Sequence, residues 1–236
     1  MKAVLRVPPR TVPALASARP STRHSVLLFV LLFVLLVTAC GDIVRPSSMD
    51  RAGTDTFEGD VRAARTLTEE FWRRQFQQSG ETYRPIADFI PYSGNSGPSC
   101  GGQPSVPNNA FYCPIGHFIA FDQDWMEALW NDMGDGSVYV IIPHEFGHAV
   151  QAQLRTDFEL NVQMELQADC YAGATLSALV GSGVLTADEG DENELFLSLA
   201  AAGDPTDDWL NPAAHGTAEQ RQSSYVTGYQ GGVGAC

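Results

Sequence analysis

Residues 138–154 read VYVIIPHEFGHAVQAQL, the most apolar stretch after the N-terminal lead, and they carry the pattern His144-Glu145-Phe146-Gly147-His148. Residues four apart on a helix lie on one face. Two imidazoles can therefore bind one metal ion, with Glu145 close to the ion's open position. That gives zinc two nitrogen ligands and a carboxylate to take a proton from bound water. The flanks, Val138 to Ile142 and Ala149-Val150, would bury the rest of the helix. Pro143 admits two readings. It is the first helical residue, where Pro is favoured, or it lies inside a helix that begins near Ser137, at the cost of one backbone hydrogen bond. Both leave His144 and His148 on a shared face.

A catalytic zinc takes a third protein ligand and keeps one position open. Glu165-Leu166-Gln167-Ala168-Asp169 supplies the candidate. Glu165 and Asp169 are one turn apart on a second, otherwise apolar helix. Glu165 is assigned to the metal, and Asp169 to a ligand histidine, whose ring it would fix through a hydrogen bond. Asp157 and Glu159 are rival ligands near the presumed turn. Cys170 is another, unless a disulfide to Cys236 takes its thiolate.

Outward from this centre the pattern is mostly helical. Val61, Ala64, Leu67, Phe71, Trp72 and Phe76 recur near helical spacing over Phe57–Gln78, and Gly80 ends that helix. Tyr83 to Tyr92 holds two prolines and reads as an extended or edge segment. Ser93 to Asn109 is a Gly/Pro/Ser/Asn loop, and Phe111 to Phe121 a strand interrupted by Pro114 and Gly116. Helices are expected over Asp122–Met133, Phe158–Leu179 and Ala187–Ala202. Thr217 and Gln220 form a capping box that starts a last helix towards Tyr229. The fold class is α+β, mostly helical with a few short strands.

The first 40 residues have the layout of a secretory signal: Lys2, Arg6, Arg10, Arg19 and Arg23, then an apolar run over Val26–Val37, then small residues. The run is short for a spanning helix, which needs about 20 residues. Val37-Thr38-Ala39-Cys40 resembles a bacterial lipobox, which implies lipidation of Cys40 and attachment of an exported protein to the outer face of the cytoplasmic membrane. An uncleaved signal anchor and ordinary cleavage nearby are the alternatives. Residues 41–57 read as a flexible tether, and 58–236 as the domain. The lead holds five of the 14 basic residues and none of the 28 acidic ones, so removing it takes the net charge from −14 to −19. A nucleic-acid binder needs a basic footprint, and this chain has none. Beyond Cys40, four cysteines remain, an even number in an exported chain. Of the three connectivities, Cys100 with Cys113 and Cys170 with Cys236 is favoured.

Several segments together resemble the bacterial neutral zinc metallopeptidase family. They are Phe111-Tyr112-Cys113-Pro114, His144 to His148 with Val150-Gln151, Glu165 to Gly173, and His215-Gly216-Thr217-Ala218-Glu219-Gln220-Arg221. The resemblance covers roughly residues 60–236. Pro143 stands where a small residue is more usual, and Ala149 where the family often has a further His; neither removes a proposed ligand. The resemblance implies a zincin-like fold, bound Zn2+ and hydrolysis of a peptide or protein substrate. In similar peptidases a His or Tyr outside the motif stabilises the oxyanion. His215 is the candidate here and Tyr225 the second. His24 leaves with the lead, and His117 sits in a strand in a structural role. Two other function classes share much of this pattern. One is an exported binding or assembly module with structural zinc, which would close the fourth position. The other is an amidase acting on a cell-wall peptide.

Overall fold

The computed structural model describes residues 56–236. The signal over 1–40, lipidation at Cys40 and nearly all of the tether lie outside the described residues. Helix α1 (Phe57–Ser79) starts where the Thr56 hydroxyl accepts the Gly59 N–H at 3.2 Å. It ends at Gly80, whose φ of 78° turns the chain left-handed. Its stripe of Ala64, Leu67, Phe71, Trp72 and Phe76 is buried.

Three short strands follow: β1 (Asp88–Tyr92), β2 (Ala110–Cys113) and β3 (Phe118–Asp122), in the order β1-β3-β2. β1 runs parallel to β3 and β2 antiparallel to it. Pro91 is tolerated because β1 is an edge. The expected single strand over Phe111–Phe121 is instead a hairpin, since Pro114 and Gly116 break the ladder and the chain reverses there. His117 therefore lies in the turn and not in a strand, at φ 52°. Its Nε2 is 3.1 Å from the Arg84 carbonyl, which only accepts, so Nε2 carries the proton and Nδ1 accepts from the Tyr112 hydroxyl at 2.8 Å. This buried ring is structurally satisfied, as expected.

Helix α2 (Gln123–Met133) stops at Gly134, and α3 (Gly136–Leu154) begins two residues later. Pro143 lies inside α3, so the second reading of that residue holds. An interior Pro costs about 3 kcal/mol. Val138, Val140, Ile142, Phe146 and Val150 are all buried on α3. At about 1.5–3 kcal/mol per side chain, their burial outweighs that cost. Buried on nearly every side, α3 is the central helix, packed against α1, α2, α4, α5 and β2.

Helix α4 (Asn161–Gly181) begins three residues later than the sequence suggests, after Arg155 turns left-handed at φ 53°. Helices α5 (Asp191–Ala201) and α6 (Ala218–Gly231) complete the bundle. The Thr217/Gln220 capping box starts α6: Thr217 N–H donates to the Gln220 side chain at 2.8 Å, and Gln220 N–H to the Thr217 hydroxyl at 3.4 Å. Two close approaches position the functional residues. A Cβ on Gly147 would sit 3.0 Å from the Ala168 Cα, so α3 meets α4 backbone to backbone at the motif. A Cβ on Gly228 would fall 1.8 Å from the Cys170 carbonyl oxygen, so α6 crosses α4 equally closely. Disulfides join Cys100 to Cys113 and Cys170 to Cys236, the favoured pairing. No helix among the described residues is long and apolar enough to cross a membrane.

Candidate metal centre

Helix α3 presents His144 and His148 on one face, with their Nε2 atoms 3.1 Å apart. Helix α4 brings Glu165 to both: Oε2 is 3.2 Å from His144 Nε2, and Oε1 is 3.6 Å from His148 Nε2. One ligand atom from each of the three residues lies within 4.8 Å of the others. Nitrogen, nitrogen and carboxylate oxygen converging on one point is a donor set suited to zinc. Glu145 Oε2 is buried without a hydrogen-bond partner, and Glu145 lines the same cleft as the three. A buried unpaired carboxylate oxygen is costly, so its retention beside a ligand set indicates a group poised for another molecule.

The ring nitrogens turned away from the convergence point are held. His144 Nδ1 donates to Asp169 Oδ1 at 2.8 Å, as the sequence suggests. Arg221 on α6 grips the same carboxylate in bidentate fashion, Nε to Oδ2 and Nη2 to Oδ1, both at 2.8 Å, while Nη1 donates to the Ala202 carbonyl. His148 Nδ1 lies 2.9 Å from Gln151 Oε1. Burial alone would lower the His144 pKa. The Asp169 charge and hydrogen bond, with the bond to Glu165, outweigh it and raise the value to about 10 without a metal. Burial likewise pushes Asp169 up, but Arg221 and then His144 pull it well below the carboxylate range. Glu165 is lowered too, since its bonds to His144 and His148 exceed its burial cost.

The cleft has a volume of about 800 Å³ and is floored by the α3 motif. Ala110, Phe111 and Tyr112 of β2 line it, as do Ala202 and His215. β2 is a sheet edge, and no strand among the described residues pairs with its outer side. The His215 side chain is 51% exposed, with Nδ1 3.6 Å from Asp204 Oδ1. Tyr225 is buried and lines a different cavity, away from the cleft. Of the rival ligands, Asp157 lines the cleft but does not join the three, and Glu159 does neither. Cys170 is engaged in its disulfide.

Sequence reasoning missed two residues. Arg221 stands out in the sequence only as part of a matching stretch, although it is the one Lys or Arg after Arg155, in the acidic last third of the chain. Gln151 likewise stands only in a matching stretch, beside Val150, and nothing local marks its role. One other group among the described residues gathers ligand-type atoms within 4.8 Å: Asp135, Asp191 and Glu194, at the start of α3 and on α5.

A family model described as "Putative neutral zinc metallopeptidase" matches residues 46–236. The chain is 31% identical over 193 residues to "Uncharacterized protein YpfJ" of Escherichia coli, covering 70% of this chain and 65% of that protein. It is 32% identical over 170 residues to "Uncharacterized protein Rv2575" of Mycobacterium tuberculosis, covering 60% and 58%. The chain thus spans slightly under two thirds of these relatives' length. No solved structure matches it.

Proposed function

Because this chain belongs to the neutral zinc metallopeptidase family, we infer that it hydrolyses peptide bonds with a zinc ion held by His144, His148 and Glu165. The carrying observation is the convergence of these three ligand atoms in one cleft with the buried, unpartnered Oε2 of Glu145. Zinc bound there would supply Lewis-acid polarisation of the scissile carbonyl and acidify a water.

The chain's own residues do the rest. Glu145 takes the proton of the attacking water and passes it to the leaving amine. His215, on the cleft wall, donates to the developing oxyanion. Asp169, gripped by Arg221, keeps His144 turned so that Nε2 faces the ligand point. The unpaired outer edge of β2 supports an extended peptide as substrate, since such a segment can add to a sheet edge through main-chain hydrogen bonds. Two disulfides suit an oxidising compartment. They accord with an exported protein held at the membrane through Cys40 or a signal anchor.

The test uses residues 41–236 loaded with zinc and incubated with an unbiased peptide pool beside Glu145→Gln, with new termini read by mass spectrometry. General-base help is typically worth about 10²–10⁴-fold, so the variant should keep zinc and lose turnover by that factor. Equal cleavage by both would sink the assignment. No cleavage by the parent, with zinc bound, would shift the reading to a non-catalytic zinc module or a cell-wall substrate.

A further inference from the structure

His144 is held by a carboxylate, and the sequence foreshadows that bond. His148 is held differently. Its Nδ1 meets the Oε1 of Gln151, a side chain only 4% exposed. An amide can point either way, so the direction must come from its other end. Gln151 Nε2 donates to the Met164 carbonyl at 2.8 Å and to Gln167 Oε1 at 3.2 Å. Flipping the amide would set its oxygen against two acceptors, one of them a backbone carbonyl that cannot donate. Gln151 Oε1 is therefore fixed towards His148, and His148 Nδ1 must carry the proton. In the neutral ring, the form that binds a metal, the lone pair is then on Nε2, the atom facing Glu165 and His144.

The chain of donors continues. Gln167 Nε2 donates to the Cys236 carbonyl at 3.1 Å. Cys236 is held to α4 by its disulfide to Cys170, three residues along the same helix from Gln167. Every bond runs in one direction, from His148 through Gln151 and Gln167 to Cys236.

We propose that Gln151 is the positioning residue of His148, backed by Gln167 and by the segment that the Cys170–Cys236 disulfide holds in place. This rests on the metal centre proposed above. It adds that the second imidazole owes its tautomer and ring orientation to an uncharged amide relay anchored outside the cleft. Partners of this kind typically change metal affinity about 10–100-fold.

The experiment uses the full chain and two readouts. The first is the tautomer of His148 in metal-free protein, from long-range proton–nitrogen NMR of histidine-labelled samples. The second is zinc affinity by competition with a chromogenic chelator. Wild type should show His148 protonated at Nδ1. Gln151→Leu keeps the bulk and removes the acceptor; it should shift the ring towards the Nε2–H tautomer and weaken zinc binding about 10–100-fold. Gln151→Glu restores the acceptor for Nδ1 and should return the ring to the Nδ1–H tautomer. Its second oxygen meets the Met164 carbonyl and Gln167 Oε1 with no proton to donate, so zinc affinity should recover only in part, a split that a purely structural role would not predict. Gln167→Leu should give the same tautomer shift in weaker form, and it serves as the test should Gln151→Leu fail to fold. Paired with Cys170→Ser/Cys236→Ser, it should lose less than the sum of the two changes. An unchanged tautomer with unchanged zinc affinity in Gln151→Leu and Gln167→Leu, or additive losses, overturns the proposal. If wild type binds no zinc, the metal centre itself falls, and the tautomer alone decides the role of Gln151.

Discussion

Two clusters in this chain bring three ligand-type side chains equally close, and they are chemically opposite. At His144, His148 and Glu165 the carboxylates face positive or donating groups: Glu165 meets two imidazoles, and Asp169 behind them meets Arg221. Both carboxylates are held ionised. At Asp135, Asp191 and Glu194 there are three carboxylates, and among the described residues no ion pair to a cation. Burial first, then Asp60, Asp191 and Glu194, raise the Asp135 pKa to about 7. The first cluster meets its charge with built-in partners and is pre-organised for a metal. The second meets its charge by holding a proton below about pH 7. Convergence of ligand atoms alone does not distinguish them; the shell behind the ligands does.

The sharpest break in this comparison is to remove one carboxylate from each. Glu165→Ala removes a proposed ligand and should cost zinc affinity more than the roughly 100-fold upper range for losing a supporting partner. Asp191→Ala should leave zinc stoichiometry and affinity as they are. Elemental analysis after dialysis, with chelator competition, measures both. A second zinc per chain that disappears in Asp191→Ala would break the comparison outright.

Next in size is the cation that backs the first cluster. Arg221→Met leaves Asp169 buried with its charge opposed only by His144. Removing one partner of a buried pair typically costs about 3–5 kcal/mol. Urea unfolding of metal-free protein should show a loss in that range. A loss below about 1 kcal/mol, the level of an exposed pair, would mean that the pair is not shielded as its geometry indicates.

Legibility in the sequence follows the same division. His144, Glu145 and His148 are a local pattern, and Glu165 and Asp169 are one turn apart on an apolar helix, so periodicity exposes them. Gly80 and the Thr217/Gln220 box announce helix ends because capping is also local. Arg221 is different: 52 residues separate it from Asp169, and the close crossing of α4 and α6, at Gly173 and Gly228, brings them together. Gln151 is equally silent, since its role depends on Met164 and Gln167 across the α3–α4 contact. The β2–β3 hairpin was half visible. Pro114 and Gly116 were recognised as breakers, but nothing local shows that the chain doubles back, and His117 was misplaced with it.

The smallest predicted effect isolates the second cluster through its proton. An unfolded Asp has a pKa near 3.8, and folded Asp135 is near 7. Between these values the folded state binds more protons than the unfolded state, so stability falls as pH rises. The contribution is intact below about pH 4 and lost as pH passes 7. Asp135→Asn removes the titration, so it should be more stable than wild type at pH 8, and the difference should shrink to nothing near pH 4. A full shift of this size would be worth several kcal/mol for a fully buried group. Asp135 is partly exposed, and solvent screening brings the expectation down to about 1 kcal/mol. Thermal melts of both proteins from pH 4 to pH 8, with metal removed, measure it. Parallel curves would mean that Asp135 is ionised throughout, and the two clusters would then no longer differ in how they meet their charge.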